Sequence, residues 1–252
     1  MDVARNTSAL GRLLEEISWV GSSVRDYRSG GRGYENVLTV EVLQSLDFLP
    51  RALFLKEVLK VAHGADTARR VVLNEIEQVE IDLLPGNYYL IPSKAAGHTE
   101  GLSVQPDAWI SGADSLVLVE AKRIRSSSFQ REQLARELVL VMRDAQVSNR
   151  TPLLLLILGK EPPVQVQGHG KQSIADAITL HLESVLLRAE DHALVAADLL
   201  NGIPETVAWI TWQEISDVVC MQLGSISIGD ESLMGGITRL GNALIRAVRW
   251  HG

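Results

Sequence analysis

Ser115 to Arg123 reads Ser-Leu-Val-Leu-Val-Glu-Ala-Lys-Arg, a strand-length run with aliphatic side chains at consecutive positions. Successive strand residues point to opposite faces, so this run is apolar on both. Such a strand belongs in the middle of a sheet, with a layer of structure on each side. Pro152 to Gly159, built on Leu153 to Leu158, is a second run of the same kind. The chain is therefore expected to be α/β, with a mixed central sheet flanked by helices and extra helices at both ends.

The surrounding periodicities fill in the order. Ala9–Arg25 has a helical apolar face, and Ser29–Gly33 is a glycine-rich joint. Glu35–Leu46 is expected as the first core helix, and Arg51–His63 as a second, ended by Gly64. Val72–Leu84 contains strand alternation at Val79, Ile81 and Leu83, and Tyr88–Ile91 returns after a Pro85-Gly86-Asn87 turn. A helix is expected over Phe129–Ser148, capped from Ser126–Ser128, with Leu134, Leu138, Val141 and Ala145 as its buried stripe. Lys160–Lys171 reads as a long loop, Ser173–Ala189 as a helix and Val207–Trp212 as a last strand. Helices over Gln213–Leu223 and Ser232–Trp250 close the chain. Residues 1–33 are thus an N-terminal helix and joint. Residues 34–252 are one α/β domain, with a core over about 34–160 and an extension over 161–252.

The first apolar strand ends in chemistry. The chain holds one Pro-Asp pair, Pro106-Asp107, and one Glu-x-Lys, Glu120-Ala121-Lys122. Gln105–Ile110 reads as a strand with proline at its start, where no ladder donor is lost, and Ser111–Asp114 as a turn. Folding this hairpin about Ala113 puts Asp107 opposite Val119 or Glu120. Glu120 and Lys122 then share a face, and Ala121 points away. Two carboxylates are hard oxygen donors suited to Mg2+ or Mn2+. Such an ion lowers the pKa of bound water and offsets charge on a phosphate, while a lysine orients the water. Glu-x-Lys alone would suit an ordinary surface ion pair. The upstream aspartate and the buried strand favour the metal reading.

With Pro106-Asp107 and Glu120-Ala121-Lys122 placed this way, the chain resembles the PD-(D/E)xK nuclease superfamily, of restriction-endonuclease-like fold. The likeness covers about residues 34–160. It implies a Mg2+- or Mn2+-dependent nuclease, a phosphodiester hydrolase whose expected substrate is DNA, in restriction, phage defence or repair. It implies that Asp107, Glu120 and the Ala121 carbonyl hold the metal and that Lys122 positions the attacking water. A glutamine on the following helix commonly assists, with Gln133 the first candidate and Gln130 the second. A glutamate at the start of the first core helix commonly helps hold metal, here Glu35, with Glu41 in reserve. Arg123, Arg125, Gln130 and Arg136 are the candidate substrate contacts. Many enzymes of this fold are dimers, so a homodimer through the N-terminal helix, or a partner protein, is a further expectation.

A net charge of −7 argues against a nonspecific nucleic-acid coat. It favours the alternative, a catalytically inactive nucleic-acid-binding or protein-interaction module on the same fold. The distribution is kinder to a nuclease. Basic residues gather at Lys122, Arg123, Arg125, Arg131, Arg136, Arg143 and Arg150, and acids at Glu75, Glu77, Glu80 and Asp82. The single cysteine, Cys220, excludes an internal disulfide and is expected to pack in the core of an apolar helix. A cytoplasmic location fits, with no signal peptide visible and no apolar run long enough for a membrane span. Trp209 and Trp212 are expected in the core, and Trp109, on the Asp107 face, in the cleft. His169 is a lone loop histidine, ordinarily solvated.

Overall fold

Residues on alternate sides of the central strand enter two separate cores. Val117, Val119 and Ala121 join one, and Leu116 and Leu118 the other. A computed structural model describes residues 34–91, 101–124, 128–189 and 194–252, without the side chains of Tyr34 and Glu35. The expected helix over Ala9–Arg25, the joint and the dimer contact argued from them lie outside the described residues. So do the Lys94–Glu100 loop, Arg125, and Ser126 and Ser127.

In chain order the elements are α1 (Tyr34–Phe48), α2 (Leu55–Val61), α3 (Asp66–Asn74), β1 (Glu80–Leu83), β2 (Tyr88–Leu90), β3 (Leu102–Val104), β4 (Ala108–Ser111) and β5 (Ser115–Ala121). Then come α4 (Gln133–Ser148), β6 (Thr151–Leu158), β7 (Val164–Val166), β8 (Gly170–Gln172), α5 (Ile174–Arg188) and α6 (Ala196–Thr206). The chain closes with β9 (Val207–Thr211), α7 (Trp212–Ser225) and α8 (Glu231–His251). The central sheet has five strands in the order β1-β4-β5-β6-β9. The pairs β1/β4 and β4/β5 are antiparallel, and β5/β6 and β6/β9 are parallel. This is a mixed α/β sheet flanked by helices. One face carries α1, α2, α3, α7 and α8, and the other α4, α5 and α6.

Several elements differ from the expectation. Val72 belongs to α3 rather than to a strand, and β1 begins only at Glu80. The second expected helix is shortened to Leu55–Val61. Tyr88–Leu90 pairs with β3 in a separate two-stranded ribbon and does not join the sheet. The Lys160–Lys171 segment is not a plain loop, because β7 and β8 pair within it as a hairpin. The α6 helix has no counterpart in the sequence reading, and Pro204 lies inside it. The N-cap of α4 is Glu132, not a serine of Ser126–Ser128, and its side chain makes no capping bond.

The two hairpin strands are locked from behind. Glu75, at the end of α3, accepts hydrogen bonds from the Asp114 amide at 3.1 Å and from the Ser115 hydroxyl. A Cβ on Gly112 would sit 1.9 Å from the Glu75 carboxylate, so only glycine admits this staple at the turn. Glu77 accepts the Ala52 amide at 2.8 Å. Two of the clustered acids therefore hold the fold.

Candidate active site

The β4/β5 register pairs Ala108 with Val119, so Asp107, one residue before β4, faces the Glu120 end of β5. The Asp107 amide donates to the Val119 carbonyl at 3.1 Å, and the Leu84 amide donates to the Asp107 carbonyl at 2.9 Å. The Asp107 carboxylate Oδ2 accepts the Ala121 amide at 2.6 Å. The backbone of the Glu-Ala-Lys segment is thus tied directly to the aspartate side chain. Because β5 alternates, Glu120 and Lys122 emerge on the α4 side of the sheet, while Ala121 enters the opposite core.

Glu120 is 3% exposed and Lys122 8%. The Lys122 ammonium donates to Glu120 Oε1, and the Gln133 amide donates to the same oxygen. A charged pair this deep is costly to desolvate, and such contacts offset that cost. Lys122 is fixed from three further sides. Its amide donates to the Ile157 carbonyl at 2.7 Å. Its carbonyl accepts the indole N–H of Trp212 at 2.7 Å. Its ammonium lies 4.9 Å from the centroid of the Phe129 ring, within cation–π range.

One residue at this site escaped the sequence reading. Glu137, one turn after Gln133 on α4, is 1% exposed, and its Oε2 has no hydrogen-bond partner. Burial, then the neighbouring Glu120 carboxylate, push its carboxyl well above the ordinary carboxylate range. The Lys122 charge and a hydrogen bond with Gln133 pull the other way. The sequence signal was weak: Glu137 lies beside the Leu134 and Leu138 stripe, a position where an acid ordinarily edges into solvent.

Two cavities flank these side chains. One, of about 230 Å3, is lined by Lys122, Arg123, Phe129, Lys160, Glu161 and Lys171 among others, mostly basic at its polar edge. The other, of about 280 Å3, is lined by Asn87, Ser103, Gln105, Gln130, Gln133, Arg136 and Glu137. Of the expected substrate contacts, Arg123 lies in the first cavity, and Gln130 and Arg136 in the second. Arg136 donates to the Ser103 carbonyl at 3.0 Å and to Gln130 Oε1 at 3.1 Å, which ties the β2–β3 ribbon to α4. Arg125 and the Glu35 side chain lie outside the described residues. Glu41 stands 3.4 Å from His251 of α8. Trp109 is buried beside Tyr88 in the second core and lines neither cavity, contrary to expectation. Trp212 is in the core as expected, Trp209 only half-buried, and Cys220 exposed rather than packed. His169 meets His181 edge to face at 5.2 Å.

The donors here are hard oxygens, the class that Mg2+ and Mn2+ take. Among the described residues no three His, Cys, Asp or Glu side chains are gathered around a metal position, and the Lys122 ammonium is the cation at Glu120. The orphaned, buried Glu137 oxygen beside Glu120 is the feature that suits an added cation. Comparison with protein-family profiles, with curated proteins and with solved structures finds no match to this chain. No helix among the described residues is long and apolar enough to cross a membrane.

Proposed function

We propose that the chain is a metal-dependent nuclease of the PD-(D/E)xK type, hydrolysing phosphodiester bonds of nucleic acid, with DNA the expected substrate. The observation that carries this reading is the meeting of Asp107, Glu120, Lys122 and Gln133 at the end of two paired central strands. The strand order β1-β4-β5-β6-β9, with its antiparallel and parallel halves, is compatible with the restriction-endonuclease-like fold. Asp107, Glu120 and the Ala121 carbonyl would hold Mg2+ or Mn2+, and Gln133 would assist from α4. When bound, such an ion supplies a water of lowered pKa and positive charge for the phosphate.

The protein's own residues do the remaining work. Lys122 is held at its backbone by Trp212 and Ile157, so its ammonium is delivered to a fixed point near Glu120. There it orients the attacking water and opposes charge building on the phosphate oxygens. Phe129 and the buried aliphatic side chains of β5 and β6 surround Glu120 and Lys122 with apolar groups, which strengthens each electrostatic contact. Arg123, Lys160 and Lys171 border the adjoining cavity and suit the phosphates of a strand entering the site.

The test is incubation with supercoiled plasmid and with single-stranded DNA, in Mg2+, in Mn2+ and in chelator. Cleavage that requires metal supports the reading. Retention of nucleic acid without cutting, at saturating metal, would replace it with the inactive binding module.

A further inference from the structure

Far from the β5 site, α8 packs on α1 and leaves a furrow between them on the outside of the helical layer. The core-facing side of α8 is Ile237, Leu244, Ile245 and Val248. Beside it, two hollows of about 450 and 300 Å3 lie end to end and share Phe48 and Leu240. Leu233 and Gly236 line the first, and Ala243 and Ala247 the second, so the α8 wall repeats at helical spacing. Phe48 is 66% exposed and Leu233 55%. Large apolar side chains aligned along a groove mark a docking surface, whereas scattered ones do not. The small residues between them let another helix approach closely. The direction of the groove is fixed as well: Phe48 shares a hollow with Leu233, and Glu41 shares one with Ala247, so α8 runs antiparallel to α1.

The chain carries a segment of matching form. Residues 1–33 lie outside the described residues and end at Tyr34, the first residue of α1. Their sequence puts Leu10, Leu13, Leu14, Ile17, Val20 and Val24 at helical spacing. Leu10 to Val24 spans as many residues as Leu233 to Ala247, so as helices both stripes are about 21 Å long. Asp26–Gly33, with Gly30-Gly31 inside it, reaches up to about 26 Å, well beyond the roughly 8–10 Å between packed helix axes. A chain entering α1 through this joint can therefore fold back along it. That return carries Leu10 toward Phe48 and Val24 toward Glu41. It also brings Arg5 and Arg12 to the end where Asp230 and Glu231 open α8, and Arg25 to the Glu41 end.

We propose that residues 9–25 dock along the α1–α8 furrow of their own chain, apolar stripe inward and antiparallel to α1. Neither the furrow nor its occupant depends on the nuclease reading. The competing occupant is the same segment of a second copy. The experiment uses the full chain with Cys220→Ser, so that one engineered thiol reports. Ala243→Cys places that thiol in the furrow, and Leu187→Cys, exposed on α5 across the sheet, is the control. Reaction with dithiobis(nitrobenzoate) is timed at low and high protein concentration, with and without Leu13→Asp and Ile17→Asp together. The expected result is that these stripe substitutions speed labelling of the furrow thiol by about tenfold or more, at either concentration, and leave the control unchanged. Leu13→Ala with Ile17→Ala, a milder pair, is expected to give a smaller rise in the same direction, so the outcome does not hang on whether the aspartates are tolerated. Furrow labelling indifferent to both pairs would overturn the proposal. Protection that is lost on dilution, together with a dimer mass by light scattering, would also overturn it and assign the furrow to a second copy.

Discussion

At the scale of single residues, the site is a buried charge cluster with little slack. Lys122 and Gln133 both donate to one oxygen of the buried Glu120 carboxylate. Removing one partner of a buried pair strands the other, at a cost of about 3–5 kcal/mol. Lys122→Met is therefore expected to lower metal-free stability by about 3 kcal/mol, measured by urea denaturation. Adding Glu120→Gln to it should restore much of that loss, because the stranded charge is then gone. A double variant no more stable than Lys122→Met would mean that the pair is not coupled as its hydrogen bonds indicate.

The elements behind the site carry their own predictions. β6 ends where Gly159 passes the backbone of Arg123 and Ile124, and a Cβ there would lie 2.2 Å from the Arg123 carbonyl. Gly159→Ala must push the end of β5 aside, and is expected to cost about 1–3 kcal/mol and to reduce cleavage. Trp212, whose indole holds the Lys122 carbonyl, opens α7, and that helix is capped by Thr211 and Glu214 in a reciprocal box. Thr211→Ala is expected to cost about 1 kcal/mol. Glu214 has a further partner, His63, at 2.7 Å. Its partial burial raises the carboxyl, but hydrogen bonds from His63 and from the Thr211 amide and hydroxyl outweigh this and leave its pKa below the ordinary 4.5. A depressed folded pKa contributes stability that is full above the unfolded value and is lost as pH falls through the folded one. The stability gap between wild type and Glu214→Gln should thus close as pH falls below the ordinary carboxylate value of 4.5. Melting curves across pH check this; a gap that persists or widens below pH 4.5 would contradict it.

For the whole molecule, a net charge of −7 has to be reconciled with the polyanionic substrate of the proposed reaction. The basic residues are local: Arg123, Lys160 and Lys171 border one cavity beside Lys122. Lys160→Ala with Lys171→Ala is expected to weaken DNA binding and lower the salt slope of its affinity by up to about two, read by fluorescence anisotropy. An unchanged slope would place the strand elsewhere. The layout of the molecule was legible wherever burial was two-sided. The aliphatic runs of β5 and β6 fixed the sheet's centre, and Pro106-Asp107 with Glu120-Ala121-Lys122 fixed the face on which Glu120 and Lys122 meet. Local signals failed where tertiary contacts decide. Val72, at the head of the stretch expected to contain a strand, lies within α3, and β7 and β8 are too short to outvote the prolines and glycines around them. Glu137 went unnoticed because an acid on an amphipathic helix ordinarily faces water, and only the packing of α4 on β5 turns it inward. Cys220 erred the opposite way, since an apolar stretch of helix can still leave one side exposed.

The central claim is that Asp107, Glu120 and Lys122 cut phosphodiesters with a divalent metal. Its most direct measurement is plasmid and single-strand cleavage by wild type, Asp107→Ala and Lys122→Ala, purified identically, with Mg2+ or Mn2+. The account predicts metal-dependent cutting by the wild type that disappears in both variants and in chelator. Equal cutting by all three, or none by a wild type with intact metal sites and a full range of nucleic acids, would contradict it.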